Sequence, residues 1–125
     1  MLKSFQELDV WKKGHGFTLA VYRLTKGFPK DERFGLVSQL RRSAASIGAN
    51  IAEGFGRRST KDFVRYLEIA VGSLEETRNY LLLSRDLGYC EERDFDSLNL
   101  QLDEIGRMLG GLSRSLRARL SDRKV

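Results

Sequence analysis

Leu36–Arg58, LVSQLRRSAASIGANIAEGFGRR, decides the fold. At helical period it carries three stripes. Leu36, Leu40, Ala44, Ile47, Ile51 and Phe55 fall at spacings of three and four, the pattern of an amphipathic helix. Ala45, Ala49, Ala52 and Gly56 make a stripe of tiny side chains. Ser43, Ser46, Asn50, Glu53 and Arg57 make a polar one. A helix on a globular surface needs one apolar stripe and a charged back, yet Ser43–Ala52 carries no charge. Such a helix belongs inside something. Its small stripe would admit a neighbouring helix closely. Its polar stripe is open to a subunit contact or a ligand-facing surface.

The surrounding composition fits a single domain over 1–125 that buries its own core. With 41% hydrophobic and 31% charged residues, the chain is neither disordered nor membrane-embedded. The opening MLKSFQELDVWKKG contains acids and no continuous apolar core, so no signal peptide is expected. Cys90 is the lone cysteine, which excludes an internal disulfide framework. A reducing cytoplasm is the expected compartment. The formal net charge of +5 is uneven. Basic and acidic residues balance through Gly106. Arg107, Arg114, Arg117, Arg119, Arg123 and Lys124 then stand against Asp122 alone.

Helix signals place four helices over about 6–26, 31–56, 60–87 and 92–120. Ser4 or Asp9 can start the first. It carries one stripe of Leu8, Trp11, His15, Leu19 and Tyr22, and another of Phe17, Val21, Leu24 and Phe28. Gly14 and Gly16 each cost this helix about 1 kcal/mol relative to Ala, so they mark a close approach or a soft segment. Gly27-Phe28-Pro29 ends it, because proline disfavours helical geometry in the preceding residue. Asp31 opens the second helix, with a carboxylate at its positive end. Ser59 is the expected N-cap of the third, with Asp62 as capping-box partner. Phe63, Leu67, Ala70, Leu74, Thr77 and Leu81 form its seam, and Gly88 stops it. The fourth repeats the pattern with Leu98, Leu102, Ile105, Leu109, Leu112 and Leu116, flanked by Gly106, Gly110 and Gly111.

Four amphipathic helices joined by short turns define an all-α, antiparallel up-down-up-down four-helix bundle. That topology puts Arg57, Arg58, Lys61, Arg65, Arg114, Arg117 and Arg119 at one pole. Asp86, Glu91, Glu92, Asp94 and Asp96 fall at the other, so the bundle should be electrically bipolar.

LRRSAASIGANIAEGFGRRS (Leu40–Ser59) closely resembles the signature of a bacterial four-helix-bundle family encoded in intervening sequences of 23S ribosomal RNA genes. The accessory variability proteins of diversity-generating retroelements are similar. The resemblance extends through VWKKGHGFTLAVYRLTKGFPKDERFGL before the motif and FVRYLEIAVGSLEETRNYLLLSRDLGY after it. Gly48 departs from it, since many relatives carry proline there. Gly14 and Gly16 also stand where relatives commonly have helix formers. The resemblance implies a cytosolic homo-oligomer, a ring of five, with no established enzymatic activity. For the retroelement relatives it implies nucleic-acid binding through a basic surface.

No stretch has the layout of an active site. His15 is the lone histidine and, lying on an apolar stripe, reads as a core or interface residue. With Cys90 the lone thiol, no clustered metal-ligand set is present. Glu75 and Glu76 point apart on a helix and lack the Glu-x-x-His partner of a di-metal bundle. GFGRRSTK (Gly54–Lys61) looks superficially like a phosphate loop, but lacks the spacing and follows a helix rather than a strand. No cofactor, metal or membrane partner is expected. The same turn is the best anion site, because the third helix begins there with free backbone donors beside Arg57, Arg58 and Lys61. Arg41 and Arg42 lie away from it, one free to pair with another helix and the other to stay exposed. Nucleic-acid binding is therefore expected at Arg57, Arg58, Lys61, Arg65, Arg114, Arg117 and Arg119. Subunit contacts are expected from Ser43, Ser46, Asn50 and Glu53, with Trp11 and Tyr22. The alternative is an oligomeric scaffold that docks another protein on Trp11, Phe17 and Tyr22.

Overall fold

The computed structural model describes the backbone of residues 1–123 and the side-chain surroundings of residues 1–121. The tail charges Asp122, Arg123 and Lys124 lie outside those described side chains. The described residues form four α-helices: α1 (Asp9–Thr25), α2 (Leu36–Phe55), α3 (Thr60–Asp86) and α4 (Glu92–Arg123). α2 lies between α1 and α3, α4 follows α3, and α4 returns to α1, while diagonal pairs make no close backbone approach. This is the antiparallel four-helix bundle that short connections require.

Ser4 caps a 3₁₀ turn at Phe5–Glu7, its hydroxyl accepting from the Gln6 amide at 3.1 Å and its own amide donating to the Glu7 carboxylate at 3.2 Å. α1 proper follows from Asp9. It turns Val10, Gly14, Phe17 and Val21 into the core. Thr18 and Trp11 cover the approach to α2. The Thr18 hydroxyl reaches the Ala44 carbonyl at 3.1 Å, and a Cβ on Gly48 would lie 3.4 Å from the Trp11 indole nitrogen. α2 passes unbroken through Gly48. Gly14 sits against Ile47, whereas Gly16 meets nothing.

α2 begins at Leu36 and not at Asp31. Lys30–Glu32 is a separate 3₁₀ turn, and Gly35 takes φ −106°, ψ −107° ahead of the helix. The carboxylate at the positive end is that of Glu32, which accepts from the Leu36 amide at 3.4 Å.

Two of the three stripes of α2 are accounted for within one chain. Leu40, Ala44, Ile47 and Ile51 are fully buried. The polar stripe forms the seam with α3: Ser43 lies 2.9 Å from the Thr77 hydroxyl, Ser46 is 2.8 Å from the Ser73 hydroxyl, and the Asn50 amide donates to the Ser46 carbonyl at 2.8 Å. No side-chain polar atom is left buried without a partner among the described residues, as native interiors require. The tiny stripe is not covered by a helix of this chain. Ala45, Ala49 and Gly56 are exposed and Ala52 is half-buried. α3 comes close to the α2 backbone at Gly54, where Phe63 and Tyr66 leave no room for a Cβ.

Ser59 caps α3, accepting from the Asp62 amide at 3.0 Å, but the Asp62 carboxylate makes no return bond to the Ser59 amide, so the expected capping box is half formed. Val64, Leu67, Ala70, Leu74, Thr77 and Leu81 are buried along it, with Phe63 half-buried at the end of the seam. Gly88 takes φ +77°. The Gly88 amide bonds the Arg85 carbonyl and the Tyr89 amide the Ser84 carbonyl, both at 2.9 Å. That pair is a Schellman cap, which favours glycine at the left-handed position. On α4, Phe95, Leu98, Leu102, Ile105, Leu109 and Leu116 are buried and Leu112 is half-buried. Each fully buried apolar side chain contributes about 1.5–3 kcal/mol, against about 1 kcal/mol lost at each helical glycine. The seam therefore outweighs Gly106, Gly110 and Gly111. Of these, only Gly106 faces another helix, at Leu74.

The α1–α2 and α3–α4 turns meet. Phe28 packs on Tyr89 with ring centroids 5.5 Å apart, and the Tyr89 hydroxyl donates to Glu32 at 2.9 Å. That hydrogen bond, then desolvation and the charges of Glu32 and Asp31, raise the Tyr89 pKa above its ordinary 10. A group whose folded pKa is raised stabilises the fold below its unfolded pKa and loses that stabilisation as pH rises through the folded one. Stability is expected to decline more steeply above about pH 10 than in a Tyr89→Phe variant. Thermal melts from pH 8 to 11 check this, and identical pH profiles would contradict it.

Candidate functional site

The α2–α3 turn and the end of α4 lie at one end of the bundle. Lys61, Arg65 and Arg117 line a shallow hollow between the start of α3 and the end of α4, together with Asp62, Glu68 and Leu120. Arg117 is paired there with Glu68. On the adjoining turn Arg57 reaches Glu53 at 3.4 Å and the Tyr66 hydroxyl at 2.5 Å, its guanidinium 4.8 Å from the Tyr66 ring centroid. Arg58 is exposed and forms no ion pair among the described residues. Arg114 and Arg119 are exposed but do not line the hollow. Arg114 folds back along its own helix toward Gly110. The expected basic surface is thus brought together in part, with a core of Lys61, Arg65 and Arg117 beside Arg57 and Arg58. The backbone anion site is weaker than expected. Ser59 already occupies one α3 donor, and the Asp62 carboxylate stands in the first turn, where it offsets the positive end of the helix.

The far end is mixed rather than purely acidic. Lys26, Lys30 and Arg33 share it with Asp86, Glu91, Glu92, Asp94 and Asp96, because the Phe28–Tyr89 contact joins the two turns. Asp31 and Glu32 of the same turn keep acids in excess there, so the bipolar arrangement is diluted by these cations rather than reversed.

The residues expected at subunit contacts divide. Ser43 is fully buried between α2 and α3 of one chain and faces no partner. Ser46 and Asn50 are half-buried in the same seam, and their hydrogen bonds are satisfied internally. Glu53 is exposed. Trp11 is half-buried between Phe5, 5.1 Å away edge-on, and His15, stacked at 4.7 Å. His15 is exposed, not a core residue. Phe17 is fully buried, which removes it from any docking surface, while Tyr22 is 42% exposed. Trp11, Thr18, Ala45, Ala49 and Ala52 together border an apolar groove between α1 and α2.

Arg42 pairs with Glu76 on α3, and Arg41 packs against α1. Phe34 is exposed on the turn before α2; it falls within the expected span of the second helix but on none of its stripes, so periodicity does not mark it. Burial, followed by Asp94 and Glu92, pushes the Cys90 thiol up against the opposing effect of Arg85, so little reactive thiolate forms near neutral pH. Among the described residues no three His, Cys, Asp or Glu side chains group as a metal site needs, and no helix is long and apolar enough to cross a membrane.

A four-helix bundle with this α2 motif defines a class, and comparison supplies its family. The profile of the 23S rRNA-intervening sequence protein family matches residues 6–111. The chain belongs to that family. A crystal structure of a protein of unknown function from the S23 ribosomal protein family of Bacteroides thetaiotaomicron is similar, with 30% sequence identity and a TM-score of 0.78 over 84% of this chain and 95% of that one. No curated protein matches.

Proposed function

We propose that the chain is a non-enzymatic, cytoplasmic homo-oligomer that binds nucleic acid through the cationic surface at the α2–α3 turn and the end of α4. The observation that carries this reading is the convergence of Lys61, Arg65 and Arg117 on one open hollow beside Arg57 and Arg58. Contacts from such side chains to phosphates are sequence-tolerant and salt-sensitive. The Arg57–Glu53 and Arg117–Glu68 pairs are solvent-exposed. Exposed pairs are worth about 0–1 kcal/mol, so phosphate can displace them at small cost.

Self-association would make such a surface effective, since linked copies bind at a high effective concentration. The uncharged strip of Ala45, Ala49 and Ala52 beside Trp11 supports a subunit contact, with Glu53 at its margin. A ring of five follows from the family resemblance. The exposed rings and leucines, Tyr22 at 42% and Leu100 at 67%, favour the second reading, an oligomeric scaffold for another protein.

Salt-titrated binding to structured RNA and duplex DNA tests the first reading. Retention at about 50 mM salt, falling steeply and linearly in log–log form, is expected. No retention at that salt would overturn it.

A further inference from the structure

Phe34 is 87% exposed. It stands on the turn before α2, with the Arg33 guanidinium carbon 5.4 Å from its ring centroid. Tyr22 of α1 borders the same hollow, and the Arg41 guanidinium carbon lies 4.6 Å from its ring centroid. An adjoining hollow shares Arg33 and Arg41 and adds Lys26 and Lys30. No acidic side chain lines either hollow. The hollow between α3 and α4, by contrast, includes Asp62 and Glu68 among its cations.

Arg41 decides what this surface can do. Its Nε donates to the Thr25 hydroxyl at 2.8 Å and its Nη2 to the Tyr22 carbonyl at 3.4 Å. Both acceptors are neutral, and Arg41 forms no ion pair among the described residues. A half-buried guanidinium fixed by neutral oxygens has no carboxylate to displace and leaves spare N–H donors for an anion from outside. Arg33 likewise has a ring beside it and no carboxylate partner among the described residues.

We infer that this end of the bundle binds the unpaired nucleotides of single-stranded nucleic acid, with bases stacking on Phe34 and Tyr22 and phosphates held by Arg33, Arg41 and the neighbouring lysines. Every base offers a flat face to an aromatic ring, and cations beside the rings follow the backbone. A duplex keeps those faces inside its own stack, so the site distinguishes strand state. An acidic peptide would meet the cations but leave both rings uncovered. The site lies about 30 Å along α2 from the α2–α3 turn, given its 20 residues. It stands on different residues from the basic surface proposed above.

The test compares the full chain with Phe34→Ala and Arg33→Gln, both at exposed turn positions, by fluorescence anisotropy. The probes are a labelled unstructured oligonucleotide, a duplex of equal length and inorganic polyphosphate. Circular dichroism verifies that the variants fold as the parent does. Phe34→Ala is expected to weaken single-strand binding about tenfold and to change duplex binding by less than about twofold. The parent should also alter the fluorescence of a 2-aminopurine base in the oligonucleotide, and Phe34→Ala should abolish that change. Arg33→Gln should weaken the single strand and polyphosphate alike. Parent-like single-strand affinity in Phe34→Ala overturns the inference. So does an equal loss for polyphosphate in that variant, which would mean that no base is stacked. A chain with Arg58, Lys61 and Arg65 changed to Gln should retain the 2-aminopurine signal. If that chain also keeps full duplex affinity, the basic-surface proposal falls and this one stands.

Discussion

Gly54→Val is expected to lower the stability of the bundle by about 3 kcal/mol. A Cβ at Gly54 would lie 2.7 Å from the Tyr66 Cβ and 2.9 Å from the Phe63 Cδ1. Neither neighbour is the loose end of a flexible chain. One adjoins the α3 backbone, and the other is a ring packed edge-on against Phe55 at 6.1 Å. Relief requires α2 and α3 to separate at this close contact. Replacing a helical glycine ordinarily helps, but by about 1 kcal/mol or less, so the clash wins. Gly16 supplies the opposite sign. It lies within α1, its Cβ would meet nothing within 4 Å, and Gly16→Ala should stabilise by about 0.5–1 kcal/mol. Thermal melts should therefore move in opposite directions, with Gly54→Val about 10 °C or more below the parent. A Gly54→Val midpoint at or above the parent's would contradict the close α2–α3 seam.

Changing Arg58, Lys61 and Arg65 together to Gln is expected to reduce nucleic-acid affinity about a hundredfold or more near 0.1 M salt. Each phosphate contact contributes about 0.9 to the slope of log affinity against log salt. Three lost contacts should flatten that slope by nearly three. All three side chains are exposed, so the fold is unaffected. Arg114→Gln serves as the comparison, since Arg114 does not line the hollow. It should cost little. An unchanged slope in the triple variant would remove the basic surface from the interaction.

The sequence carried the helix count, the core seams and most caps because these follow from local periodicity and from individual residues. Leu40, Ile47 and Ile51 repeat at helical spacing, Ser59 can accept a backbone amide, and Gly88 can take a positive φ. The start of α2 was less legible. Glu32 and Asp31 are adjacent carboxylates, and the 3₁₀ turn and Gly35 decide which one meets the helix end.

The site was harder to read because spacing on one helix does not say which neighbour covers each face. Ser43, Ser46 and Asn50 look like a surface stripe until α3 presents Thr77 and Ser73 to them. Likewise, the cations around the α2–α3 turn share an end by topology alone. Their screening by Glu53 and Glu68 depends on contacts within and between helices. Phe34 and Arg33 belong to a turn, where no periodicity announces them.

Sedimentation equilibrium of the full chain at micromolar concentration addresses the central claim, that copies associate along the uncharged α1–α2 face and gather their cationic ends. The predicted mass is a whole-number multiple of the 14.3 kDa chain, fivefold if the ring of the family resemblance holds. A single species at 14.3 kDa across that concentration range would contradict it.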